Sequence, residues 1–175
     1  MATLSSKVTP SGVASAAQGT LADTAVQPAD IVASVAVYVD AAGGANANST
    51  SDVTVLATTT EIEDSTNYSN TSGVVTVTDA GTYVIKGNAG VGGSTGNYRW
   101  TGELSIVKNG STVIGKVQGG YIRGSSGSFT SYVNIDKMVV LAASDTIELK
   151  CKRISTTTGN ATFTADISSL QLHKL

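Results

Sequence analysis

From Ile31 to the C-terminus, apolar and polar residues alternate in short runs, and turn-forming residues punctuate those runs. Side chains on a β-strand point alternately to two faces, so a period of two commits such a chain to strands with one apolar side. In IVASVAVYVD, Val35, Val37 and Val39 alternate with Ser34, Ala36 and Tyr38. Val53 and Val55 continue a short strand, and residues 57–72 read as polar and turn-rich. Val75 and Val77 resume the pattern, and Asp79-Ala80-Gly81 predicts a turn into Tyr83 and Ile85. Residues 87–96, GNAGVGGSTG, read as a flexible loop, and Asn97-Tyr98-Arg99-Trp100 as the start of the next strand.

Asn109-Gly110 is the strongest hairpin signal, because both residues tolerate the positive φ of a type I′ turn. Counting outward from a two-residue turn, Ile106 is expected opposite Val113 and Leu104 opposite Gly115. A further strand runs through Val133, Ile135, Val139 and Leu141, interrupted at Lys137, and ends at an Ala143-Ser144-Asp145 turn. Ile147, Leu149 and Cys151 then alternate with Glu148, Lys150 and Lys152. In the last strand Phe163, Ala165 and Ile167 share one parity and Leu170 and Leu172 the other, which predicts a bulge at Ser168-Ser169. Roughly eight to ten short strands separated by turns predict an all-β antiparallel sandwich or jelly roll.

Composition agrees. Only 14% of the 175 residues are charged, against about 25% in ordinary domains. Ser, Thr, Gly and Asn take their place and disfavour long helices. At 41%, the hydrophobic residues suffice for a buried core. A net charge of −2 gives no basic excess to neutralise phosphates, so no nucleic-acid partner is expected. No stretch approaches ~18 apolar residues, so neither a membrane-spanning helix nor a membrane partner is expected. The opening MATLSSKVTPSGVASAAQGT has no apolar run of secretory type, so no leader is expected.

Residues 1–30 differ from the rest: small side chains, no aromatic, and a thin stripe of Val13, Ala16, Ala17, Thr20, Leu21 and Ala25 at helical spacing. Ser11 could cap such a helix and Pro28 would end it. This predicts an extended or partly helical arm, residues 1–30, followed by a β-domain, residues 31–175. The arm is too poor in apolar surface to fold alone. Its candidate partner-binding residues are Val13, Ala17, Leu21, Ala25, Val26 and Pro28.

No catalytic constellation is expected. His173 reads as a surface or edge residue, and Cys151, on the parity of Ile147 and Leu149, as a small buried hydrophobe. The glycines from Gly90 to Gly96 lack the following Lys-Ser/Thr of a phosphate loop. Glu61, Glu63 and Asp64 read as a solvated acidic loop. With a single Cys and a single His, neither a disulfide nor a Cys/His metal site is expected. The reading is no enzyme, no cofactor and no metal. Tyr98, Trp100 and Tyr121 lie in or beside Gly-rich stretches, where exposed aromatics serve recognition or pack beneath a loop.

Four segments resemble C1q/TNF-like jelly rolls in order and spacing: GVVTVTDAGTYVIKGNAG, ELSIVKNGSTVIG, VVLAASDTIELKC and FTADISSLQLHKL. Ser144 stands where that family usually has Gly before Asp145. The resemblance implies a jelly roll and a homotrimer. The arm sequence TPSGVASAAQGTLADTAVQPAD resembles N-terminal or linker segments of bacteriophage virion proteins, chiefly tail fibres and related appendages. That resemblance implies a non-enzymatic virion protein. One reading is a trimeric capsid decoration or head-fibre protein, held by its arm to the major capsid protein or another virion protein. The other is a tail-fibre adhesin whose loops recognise a host surface glycan or protein.

Overall fold

The computed structural model describes residues 34–93, 98–124, 129–155 and 161–175. The chain divides into two units, residues 1–32 and 33–175. The arm residues Val13, Ala17, Leu21, Ala25, Val26 and Pro28 lie outside the described residues.

The described residues are all β, without a helix. Twelve strands follow in order: β1 (Val35–Val39), β2 (Val53–Thr54), β3 (Thr59–Glu63), β4 (Tyr68–Thr71), β5 (Val74–Val77), β6 (Gly81–Gly93), β7 (Tyr98–Lys108), β8 (Thr112–Gly124), β9 (Phe129–Leu141), β10 (Thr146–Arg153), β11 (Ala161–Phe163) and β12 (Ser169–Lys174). They form two six-stranded antiparallel sheets. In the first, β6 lies between β9 on one side and β12 with β11 on the other, and the order continues through β1 to β3. In the second, the order is β4-β5-β10-β7-β8, with β2 also on β10.

The core lies between the sheets and follows the predicted alternation except in β1, where Ala36 and Tyr38 face inward and Val35, Val37 and Val39 outward. Tyr38, Tyr83, Ile85, Leu170 and Leu172 from the first sheet meet Leu104, Ile106, Ile147 and Leu149 from the second, all fully buried. Burial of Cys151 pushes its thiol up to about 12, so it behaves as the small hydrophobe expected.

Four expectations need correction. The glycine-rich run 87–93 is strand, because β6 extends to Gly93 and pairs with β9 along its whole length. Its glycines make room: a Cβ at Gly87 would stand 2.5 Å from Leu149 Cδ2, and one at Gly90 2.3 Å from Ile167 Cγ2. Residues 57–72 contain β3 and β4, so Glu61 and Glu63 sit on an edge strand rather than in a loop. The Tyr38 hydroxyl donates to Glu63 Oε1 at 2.9 Å, and Asp64 accepts from Ser34 Oγ and from Thr66.

The β7–β8 register also differs. Asn109 (φ 52°) and Gly110 (φ 74°) form the left-handed turn, closed by Ser111 N–H donating to Lys108 O. Pairing then resumes at Lys108 with Thr112, and a second irregularity after Val107 puts Ile106 opposite Gly115 and Leu104 opposite Val117. Each bulge inserts a residue on β8 that counting from the turn cannot anticipate. Finally, the closing strand is not one bulged strand but two. Residues 164–168 loop out opposite Ala89 and Gly90, with Asp166 left-handed at φ 60°. There Asp166 N–H donates to Asp40 O, and Gly90 N–H to Ser168 Oγ.

Candidate self-association face

The outward faces of the two sheets differ in chemistry. On the second sheet the outward positions carry Glu148, Lys150 and Lys152 on β10, Ser105 and Glu103 on β7, and Lys116 and Gln118 on β8. These side chains satisfy one another. Glu103 pairs with Lys152 at 2.9 Å and Lys116 at 3.1 Å, Gln118 donates to it at 3.0 Å, and Lys150 pairs with Glu148 at 3.0 Å. The Gln118 hydrogen bond, with Lys152 and Lys116, holds the Glu103 carboxyl down at about 2 against its desolvation. The same sheet also exposes Val113 and Tyr121 on β8.

The outward face of the first sheet mixes apolar and polar positions, with the most exposed apolar ones on β9. Cross-strand register arranges it in rows. Val140 and Thr82 form one, with Leu175 beside them, its N–H donating to Thr82 O. The next row runs Met138, Val84, His173, Val35. Then come Asp136, Lys86, Gln171, Val37 and Ile62, and after them Asn134, Asn88, Ser169, Val39 and Thr59. Tyr132 stands over Gly90, close to Ile167, at the far end. Val140 is 71% exposed, Met138 61% and Ile62 54%. Val84, Lys86, His173 and Leu175 line an open depression of about 250 Å³ within this face. Exposed apolar residues grouped together, as Val140, Met138 and Leu175 are at one side of this face, make a contact site there.

Its signal was present in the sequence. VAVYV in β1 and the Met138–Leu141 segment of β9 are apolar at every position, and strands covered on both faces read that way. In β1 the sequence reading singled out Val35, Val37 and Val39, which prove to be the outward parity, and in β9 it singled out the inward Val139 and Leu141 and passed over Met138 and Val140.

The predicted recognition aromatics fare differently. Trp100 is fully buried: it lies over Gly102, and its Nε1 donates to Ala47 O at 2.9 Å. It tethers the segment between β1 and β2 to the core, and so is removed from any recognition role. Tyr121 is 60% exposed on β8, across from Thr101. Tyr98 opens β7, and its side chain falls outside the described residues. His173, expected at a surface or edge, sits half-buried on an interior strand of its sheet, between β6 and β1. Among the described residues, no three of His, Cys, Asp and Glu come together as a metal-holding group.

The domain also has two distinct ends. Ser34 lies beside Lys174, whose N–H donates to Ser34 O, and the 64–67, 78–80 and 142–145 turns share that end. At the opposite end lie Gly93, Tyr98, Gly124, Phe129 and Ala161, the residues flanking the 94–97, 125–128 and 156–160 connections.

No family model matches this chain, and no curated protein matches it. Solved structures do. The chain is similar to murine APRIL in crystals at pH 5.0, with 14% identity and a TM-score of 0.53. It is similar to the same protein at pH 8.5, with 16% identity and a TM-score of 0.54, and at pH 8.0, with 16% identity and 0.53. Each match covers 82% of this chain and 100% of that one. The fold is therefore a TNF/C1q-like jelly roll, as the four sequence segments implied.

Proposed function

We propose that this chain is a non-enzymatic structural protein of a bacteriophage particle, a homotrimeric capsid decoration or head-fibre protein attached through residues 1–30. The observation that carries the self-associating part is the contrast between the two outward faces. One carries paired ions, and the other exposes Val140, Met138 and Ile62. Apolar area removed from water contributes about 25 cal/mol per Å², so copies gain by packing these faces together. A closed ring about a three-fold axis covers the face on every copy without growing into a filament. The arm's resemblance to phage appendage segments supports the virion assignment.

Light scattering at micromolar concentration should give three chains, and Met138→Lys with Val140→Lys should give a folded monomer. A folded wild-type monomer overturns the assembly. Deletion of residues 1–30 should leave a folded trimer that no longer joins the particle, and normal incorporation would place attachment on the β-domain. The adhesin reading draws on Tyr121, exposed on β8. Copy number separates the two: hundreds per particle for decoration, a few or tens for a fibre.

A further inference from the structure

We propose that Asn109 is a latent deamidation site, held unreactive by Asp145 and Thr146, and that its conversion to aspartate or isoaspartate releases the two turns it joins. Asn109-Gly110 is the one Asn-Gly pair in the chain. Gly has no Cβ to hinder attack by its own backbone nitrogen on the preceding side-chain amide. In that reaction the Gly110 nitrogen gives its proton to hydroxide and bonds to Asn109 Cγ, and the Cγ–Nδ2 bond breaks to release ammonia. Water then opens the cyclic imide at either carbonyl. Residue 109 is left with a carboxylate, in aspartate or isoaspartate linkage, and water and hydroxide are the only co-reactants.

Both reach the turn. Asn109 and Gly110 are exposed, and the space where a Gly110 Cβ would stand is open. Protection therefore comes from how the amide is held, and not from bulk or from exclusion of water. Nδ2 of Asn109 donates to Asp145 Oδ1 and its Oδ1 accepts from Thr146 N–H, each at 2.8 Å. Its backbone N–H donates to Thr146 O at 2.9 Å. Asp145 is itself fixed, by Lys108 Nζ at 2.6 Å and Ala142 N–H at 2.7 Å.

To close the imide ring, Cγ must turn its face to the Gly110 nitrogen and become tetrahedral. An amide held at both its oxygen and its nitrogen by a neighbouring segment cannot do so without giving up those hydrogen bonds, one of them to a charged acceptor. Cyclisation thus waits on local opening of the joint between the β7–β8 and β9–β10 turns. Once formed, the product does not fit the joint. A carboxylate at residue 109 has no N–H to give Asp145, and two carboxylates at that separation repel each other. The modification is therefore irreversible in its structural effect as well as in its chemistry.

The test incubates the full chain at mildly alkaline pH, folded in buffer and unfolded in guanidinium chloride, and follows the peptide spanning residue 109 by its mass gain of about 1 Da. Folded wild type should be modified at least about tenfold more slowly than the unfolded chain, because only the open fraction reacts. Equal rates overturn the proposal, and this comparison requires no variant to fold. Among variants shown to be folded by circular dichroism, Asp145→Ala should react at least about threefold faster than wild type. Asp145→Asn, which keeps a carbonyl to accept from the amide, should stay closer to wild type. A folded Asp145→Ala chain modified at the wild-type rate overturns the role of Asp145. Asn109→Asp, which reproduces one product, should melt below wild type, and an unchanged melting temperature overturns the release of the turns.

Discussion

The side-chain amide of Asn109 donates to Asp145 Oδ1 across 2.8 Å, joining the β7–β8 turn to the β9–β10 turn. Asn109 Oδ1 accepts from Thr146 N–H at 2.8 Å, and its own N–H donates to Thr146 O. Asp145 in turn accepts from Ala142 N–H and pairs with Lys108 at 2.6 Å. The amide therefore ties two turns together at one end of the sandwich, besides serving its own hairpin. Asn109→Ala is expected to cost about 2–4 kcal/mol, combining hydrogen bonds, one to a charged acceptor, with the left-handed φ. Asn109→Gly keeps that φ available and should cost less. Urea unfolding of both separates the two contributions, and losses below about 0.5 kcal/mol would show that the turns are held by other contacts.

Gly87 is a packing position. A Cβ there would meet both methyls of Leu149, at 2.5 and 3.0 Å, and Ile135 Cγ2 at 3.1 Å. Gly87→Ala is expected to destabilise by about 1–3 kcal/mol, as overpacking a filled core does. Leu149→Val in the same chain should recover part of the loss, and a double mutant no more stable than the single would place the clash elsewhere.

Ser144 occupies a left-handed conformation, φ 68°, where the resembling family has Gly. That conformation strains an ordinary L-residue by roughly 1–2 kcal/mol, partly offset by the lower backbone freedom of Ser in the unfolded chain. Ser144→Gly should therefore raise stability by about 0.5–1 kcal/mol in thermal unfolding. A decrease would mean that the Ser side chain contributes more than the strain.

Acid should weaken the fold partly through Glu103. Its folded carboxyl is depressed to about 2 by Gln118, Lys152 and Lys116, below the ordinary glutamate value of about 4.3. The unfolded chain then binds that proton more tightly, so the contribution is complete above about pH 5.5 and lost as pH falls towards 2. The carboxyl of Asp145, lowered chiefly by its hydrogen bond with Lys108, acts in the same direction. Melting temperatures measured between pH 7 and 2.5 should fall less steeply for Glu103→Gln than for wild type. Parallel curves would exclude Glu103 as a contributor.

What the sequence determined by itself is local: the period-two alternation that makes strands, the inward parity of Ile147, Leu149 and Cys151, and the left-handed pair Asn109-Gly110. Each depends only on residues close in the chain. Tertiary structure decided the rest. Whether 87–93 is loop or strand depends on Leu149 and Ile167 filling the space above two glycines, and both come from distant segments. Trp100 is buried because Gly102 and the Ala47 carbonyl receive it, which its place beside a Gly-rich stretch could not reveal. The apolar face exists as a face only because β9, β6, β12, β1 and β3 lie side by side. Met138, Val84, His173 and Val35 are far apart in sequence, and hydrogen-bonded register alone brings them into one row.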